Sequence, residues 1–189
     1  MSKVANKHNT SEERILKLLS DDTTRHEGFE ELMKSYREVL YWHIRRMVVV
    51  HEDAQDVLQE CFVNVHRYIG GFKGESSLKT WLYRVATNEA LRHCTKKRLE
   101  TQSYDEHNAL TNLFEAEKGV DFESAEAKLQ KAILALTPKQ RVAFNLRYYE
   151  ELSYEEMALV TESSIATLKT NYHYAATKIK EYILNNMEE

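Results

Sequence analysis

A chain of 189 residues with 42% hydrophobic side chains, five glycines and a single proline can form one domain or two small ones, and its few breakers favour helix. No stretch approaches the roughly 20 consecutive apolar residues of a membrane span, and the polar start from Met1 to Asn9 has no apolar signal core, so the chain reads as soluble and cytoplasmic. Cys61 and Cys94 lack CxxC spacing and the eight histidines form no zinc-type pair, which argues against a disulfide framework, a metal or a cofactor.

The net charge of −4 is unevenly spread. Residues 1–99 hold 17 Lys and Arg against 14 acids, residues 100–126 hold eight acids against Lys118, and residues 127–189 balance at eight of each. The acidity belongs to the middle segment and does not exclude a nucleic-acid partner for the rest.

In chain order, residues 1–11 read as an unstructured start. Thr10-Ser11-Glu12-Glu13 forms a capping-box pattern before Ile15, Leu18 and Leu19, which predicts a short leading helix. Phe29, Leu32, Met33, Tyr36, Leu40, Ile44 and Met47 recur at steps of three and four, one face of a second helix. Ala54, Val57, Leu58, Cys61, Phe62, Val65 and Ile69 form a third stripe that stops at Gly70-Gly71, with Cys61 as a small core residue. After the loop from Phe72 to Ser76, with Ser76 or Ser77 as N-cap, Leu78, Trp81, Leu82, Val85 and Ala86 begin a fourth helix. Residues 12–98 thus predict one compact helical domain.

Residues 99–124 lose periodicity, gather acids and read as a linker, with at most marginal helix around Leu110 to Phe114. Residues 125–186 predict a second helical domain: Leu129, Ala132, Ile133 and Leu136 restore the period, and Thr137-Pro138-Lys139-Gln140 and Ser153-Tyr154-Glu155-Glu156 are two helix starts. A turn at Thr161 to Ser163 precedes a last helix capped by Ser164, its buried side Leu168, Tyr172, Ala175, Ile179 and Ile183. Two short helices joined by a tight turn suggest a helix-turn-helix, although an ordinary helical hairpin has the same periodicity. The predicted fold class is all-α, two small helical domains joined by a flexible acidic linker.

No phosphate-cradling or dinucleotide motif is present, and Gly70-Gly71-x-x-Gly74 follows no strand, so the chain reads as neither an enzyme nor a binder of a small-molecule substrate. The fourth helix instead mixes aromatic and basic groups: Trp81, Tyr83, Arg84, Asn88, Arg92, Lys96, Lys97 and Arg98, after a loop bearing Phe72 and Lys73. That mixture suits unstacked bases and phosphates. Trp81 lies at the edge of the apolar stripe, where core packing and DNA contact are equally open readings.

Asp53-Ala54-Gln55-Asp56-Val57-Leu58-Gln59-Glu60-Cys61-Phe62 resembles the polymerase-binding motif of sigma region two, and the run from Phe72 to Asn88 resembles its promoter-melting segment. Leu152 to Ala158, followed by Thr167-Leu168-Lys169-Thr170, is similar to sigma region four. With the three in this order, the chain is identified as resembling the extracytoplasmic-function sigma factors of the sigma-70 family. The resemblance implies that Asp56, Gln59 and Glu60 dock on the beta-prime clamp helices of core RNA polymerase. It implies that Phe72, Lys73, Ser76, Trp81, Tyr83, Arg84, Asn88, Arg92, Lys96 and Lys97 meet the minus-10 element. In similar proteins the loop matching Phe72 to Ser77 takes up a flipped base. Ser164, Ile165, Thr167, Lys169, Thr170, His173 and Tyr174 would face the minus-35 element. Further implied partners are the polymerase beta flap and an anti-sigma factor.

The sequence departs in region four from the family it resembles. Glu162 stands where the turn glycine is usual, and Asn171, Tyr174 and Ala176 stand at positions often occupied by arginine. Fewer phosphate partners should weaken contact and flatten the salt dependence; the alternatives are that the helix reads an unusual minus-35 element or that the protein leans on polymerase for its grip. The linker's charge fits either a mimic of nucleic acid in the RNA exit path or a plain tether. The rivals are a stand-alone helix-turn-helix regulator and an adaptor of two helical bundles.

Overall fold

The structure, a computed structural model, describes residues 2–101, 114 and 124–186. The first helix, α1, runs Ser2–Ser20. The start expected to be unstructured is therefore helical from Ser2, and Thr10 lies inside the helix rather than at its cap. Residues 2–20 contain neither glycine nor proline, so nothing stops the helix extending past Thr10.

A turn leads into α2, Arg25–Val48, whose start packs closely on the end of α1: a Cβ added at Gly28 would sit 2.9 Å from both the Leu18 Cβ and the Leu19 backbone nitrogen. Leu32, Leu40, Ile44 and Met47 form the expected buried stripe. The helix ends at Val49, which is fully buried with φ +72, a left-handed conformation that a β-branched residue adopts only when its surroundings enforce it. Those surroundings are Phe114, Ala127 and Leu134, so the α2 corner is anchored by residues from beyond the first domain.

Helix α3, His51–Tyr68, buries Ala54, Val57, Leu58, Cys61, Phe62 and Val65, and continues as one 3-10 turn, Ile69–Gly71. After the loop, in which Gly74 has φ +72, α4 spans Leu78–Thr101. Its N-terminus is capped twice. Ser77 Oγ accepts the Thr80 N–H at 3.0 Å and Glu12 Oε1, from α1, accepts the Lys79 N–H at 2.8 Å.

In the second domain, α5 is Ala125–Leu134, with Ser124 as N-cap. Both predicted capping boxes form, at Thr137 and Gln140 for α6, Pro138–Tyr148, and at Ser153 and Glu156 for α7, Tyr154–Thr161. Helix α8, Ile165–Asn185, starts from Ser164, whose Oγ accepts the Thr167 N–H at 3.1 Å, and buries Leu168, Ala175 and Ile179. Arg141, buried in α6, donates to the Leu134 and Leu136 carbonyls at 3.1 Å each and so closes the end of α5.

The domains are docked. Helix α7 lies against α4, and one apolar cluster runs from Leu78, Leu82 and Ala86 to Leu146, Met157 and Val160. A second cluster, including Ile133, Phe144, Ala175 and Ile179, belongs to the C-terminal domain alone. Among the described residues no helix is long and apolar enough to cross a membrane, and no group of side chains is arranged to hold a metal. The expected linker begins later than read, because residues 99–101 still belong to α4; apart from these, Phe114 and the N-cap Ser124, the linker and the marginal helix around Leu110 lie outside the described residues.

Candidate nucleic-acid interface

The polar face predicted on α3 is present. Asp56, Gln59 and Glu60 are exposed, while Val57, Leu58, Cys61 and Phe62 turn inward. Burial, with Glu89 adding to it, pushes the Cys61 thiol up to about 12, so it stays protonated and unreactive. Beside this face, α2 and α3 enclose a groove whose walls include Phe29, Arg37, Trp42, Gln59 and Val63. Trp42 is 49% exposed. Tyr41, also in the groove, contacts His51 Nδ1 at 2.7 Å, and Gln55 Nε2 reaches His51 Nε2 at 3.0 Å, which fixes the ring across the cleft. The sequence reading missed Trp42, although an aromatic between Leu40 and Ile44 lies off the buried stripe and its misplacement is visible in the spacing.

Around the loop after α3, Phe72, Lys73, Ser76, Trp81 and Arg84 line one pocket. Phe72 and Trp81 are both half-buried, their ring centroids 5.7 Å apart at 59°. Trp81 packs against the core and lines the pocket as well, so its two open readings describe two sides of one ring. The pocket has a wall from the other domain, Leu159 of α7, which the sequence reading did not anticipate.

Further along α4 the predicted residues separate. Asn88 is exposed. Arg92 pairs at 3.0 Å with Glu89, which also accepts from Asn64 at 2.9 Å. Lys97 is paired with Asp53, bracing the end of α4 on the start of α3; Lys96 is exposed. Arg84 is paired with Glu162.

Tyr83 requires a correction. It was expected among the minus-10 residues, but only 1% of it is exposed, and its hydroxyl donates to Glu150 Oε2 of the second domain. The position reads as outward in a lone first domain; docking of the second buries it. Around the same carboxylate, Arg46 Nη1 donates to Glu150 Oε1 at 3.1 Å, and His43 Nδ1 lies 3.5 Å from that oxygen. His43 Nε2 contacts Thr87 Oγ1 at 2.9 Å. Burial acts to raise the Glu150 carboxyl, but His43, Tyr83 and Arg46 together outweigh it and hold the group below its ordinary value. The same burial, with Glu150 beside it, raises the Tyr83 hydroxyl far above its usual range.

On α8, Ser164, Thr167, Lys169, Thr170, His173 and Tyr174 are exposed along one helix, as expected, and Ile165 is half-buried. The hydroxyls are partly spent locally: Ser164 Oγ and Thr167 Oγ1 are 2.8 Å apart, and Thr170 Oγ1 donates to the Ala166 carbonyl at 3.0 Å. Lys169 Nζ lies 5.5 Å from the Tyr154 ring centroid. Glu162 does take the left-handed conformation of a turn glycine, at φ +54.

Residues 32–100 match the Sigma-70 region 2 family and residues 126–179 match Sigma-70, region 4. The chain is 30% identical over 162 residues to the RNA polymerase sigma-H factor of Pseudomonas aeruginosa, covering 80% of this chain and 84% of that one. It is 28% identical over 137 residues to the ECF RNA polymerase sigma-E factor of Escherichia coli K12, covering 67% and 72% of the two chains. In fold it is similar to the sigma factor RpoE of Bartonella quintana, solved with the anti-sigma factor NepR, at a TM-score of 0.66 and 22% identity over 82% of this chain and 96% of that one. It is similar also to CnrH, solved with the cytosolic domain of CnrY, at a TM-score of 0.66 and 17% identity over 92% and 97%.

Proposed function

From the premise that this chain belongs to the extracytoplasmic-function sigma factors of the sigma-70 family, we propose that it binds core RNA polymerase and directs promoter-specific initiation in the cytoplasm, without catalytic chemistry of its own. The observation that carries this reading is the pocket of Phe72, Lys73, Ser76, Trp81 and Arg84, in the same domain as the exposed polar face on α3. A base that leaves the duplex stack gains an aromatic surface there, while Lys73 and Arg84 meet phosphate. Strand opening then follows from binding energy that replaces stacking worth a few kcal/mol per step.

Asp56, Gln59 and Glu60, with the neighbouring Trp42 groove, form the surface for the beta-prime clamp helices. A half-exposed tryptophan at the edge of a polar patch is the kind of anchor on which interface energy concentrates. The exposed side of α8 enters the major groove of the minus-35 element, where a single lysine, Lys169, among the predicted contacts makes for weak salt dependence. The polymerase beta flap steadies this domain. An anti-sigma factor is the regulatory partner. A stand-alone helix-turn-helix regulator has no use for the α3 face or for the loop pocket.

The test is reconstitution: purified protein is added to core polymerase and transcription is read from a genomic promoter library. Promoter-selective initiation is expected, with Gln59→Ala plus Glu60→Ala weakening core binding. No complex and no selective initiation would refute the reading.

A further inference from the structure

A row of exposed side chains leads away from the base pocket. Arg84 lines the pocket, and Asn88 and Arg92 follow it at steps of four along α4, all three open to solvent. Arg92 ends the row in a fixed position. Its Nη2 lies 3.0 Å from Glu89 Oε1, and Asn64 Nδ2, from α3, donates to the same oxygen at 2.9 Å. The amide carries the connection further: Arg67 Nη1 donates to Asn64 Oδ1 at 3.4 Å. An ion pair three residues apart on a helix surface is ordinarily a weak contact. Here one end is rooted, because Glu89 is only 8% exposed and its carboxylate, withdrawn from water, depends on such partners. The Arg92 side chain is 71% exposed, so most of its five donors face outward.

We propose that Arg67 and Arg92 form a two-point clamp for phosphates of the opened DNA strand, and that Glu89 and Asn64 are the positioning residues that hold it. This deepens the sigma reading above and rests on it. From Trp81 to Arg92 the helix rises about 16 Å. At the stacked spacing of about 3.4 Å per phosphate, a strand with one base in the pocket brings a phosphate to Arg92 within about five nucleotides. Guanidinium forks suit that partner, since they meet phosphate oxygens in pairs. The carboxylate subtracts one charge from the site, but two guanidiniums against it leave the clamp net positive. In return, a long side chain need not be ordered when the strand arrives.

The experiment uses the full chain. Binding of fluorescein-labelled random single-stranded DNA 12-mers is followed by anisotropy between about 50 and 200 mM NaCl. Wild type is compared with Glu89→Gln, Asn64→Ala, Arg67→Ala and Arg92→Ala, each checked for folding by circular dichroism. Glu89→Gln removes a negative charge, so simple electrostatics calls for tighter binding. The clamp predicts the opposite sign, binding about 2- to 12-fold weaker, the cost of ordering one freed side chain. Asn64→Ala changes no charge and is expected to weaken binding as well, which keeps the test decisive if the buried change unfolds the protein. Arg67→Ala and Arg92→Ala each lose a phosphate contact and lower the salt slope by about 0.7. Equal or tighter binding by folded Glu89→Gln, wild-type binding by Asn64→Ala, or an unchanged slope in either arginine variant overturns the clamp, as does a wild-type chain that binds no single strand. If the variants behave as expected but the wild-type chain supports no initiation with core polymerase, the sigma reading fails and the clamp stands.

Discussion

Trp81→Ala separates the two faces of one ring. The side chain is half-buried against the core and half open to the Phe72 pocket. A fully buried Trp→Ala change costs 3–5 kcal/mol, so half burial puts the stability loss at about 1.5–2.5 kcal/mol. For a chain of this size that lowers Tm by about 3–10 °C. The lost stacking face is worth about 1–3 kcal/mol per base, a fall of roughly 5- to 150-fold in open-complex formation. Thermal circular dichroism reads the first quantity and permanganate footprinting of the holoenzyme at 25 °C, where the variant is still folded, reads the second. Trp81→Phe keeps an aromatic face and should recover most of the opening while recovering only part of the stability. Opening within twofold of wild type in folded Trp81→Ala would refute the base-pocket assignment and leave Trp81 a core residue.

At Gly28, a Val side chain meets the Leu19 backbone nitrogen, which yields only if α1 moves; overpacking should outweigh the gain in helix propensity and cost about 2–3 kcal/mol in urea unfolding, and a loss under about 0.5 kcal/mol would mean that α1 is softly seated. Glu162→Gly relieves the left-handed strain, worth about 1–2 kcal/mol, but adds unfolded-state entropy and removes the Arg84 pair. In wild type the effects nearly cancel, whereas in an Arg84→Ala background the same change stabilises; the double-mutant cycle should give a coupling of about 0.2–1 kcal/mol, and zero coupling would remove that ion pair from the interface. Because Glu150 is held below its ordinary value in the folded chain, its contribution is fully present above about pH 4.5 and is lost as pH falls through the lower folded value. Thermal melts between pH 3 and 7 should therefore show a steeper acid loss for wild type than for Glu150→Gln, with curves of equal slope counting against the buried carboxylate.

Much of this protein was determined locally and could be read from its sequence. Helix periodicity placed α2, α3, α5 and α8, because each helix buries one stripe whatever its neighbours do. The capping boxes at Thr137 and Ser153 formed as read, since a cap satisfies backbone donors within its own first turn. The exposure of Asp56, Gln59 and Glu60 follows from the same period. Interdomain packing was not local, and there the reading diverged. Tyr83 lies beside basic and aromatic neighbours and reads as a DNA contact, yet its phenol is sealed against a carboxylate 67 positions away. Glu150 carried no signal, because a polar residue after a helix is ordinarily solvent-facing; three partners from another domain make it a buried anchor. Leu159 likewise acquires a place in the pocket only when α7 lies on α4. The sequence alone determined most of the helices, the caps at Thr137, Ser153 and Ser164, and the polar face of α3, through interactions within a few turns. Only the tertiary structure decided which side chains of α4 are open to a partner, because that depends on where a second domain comes to rest.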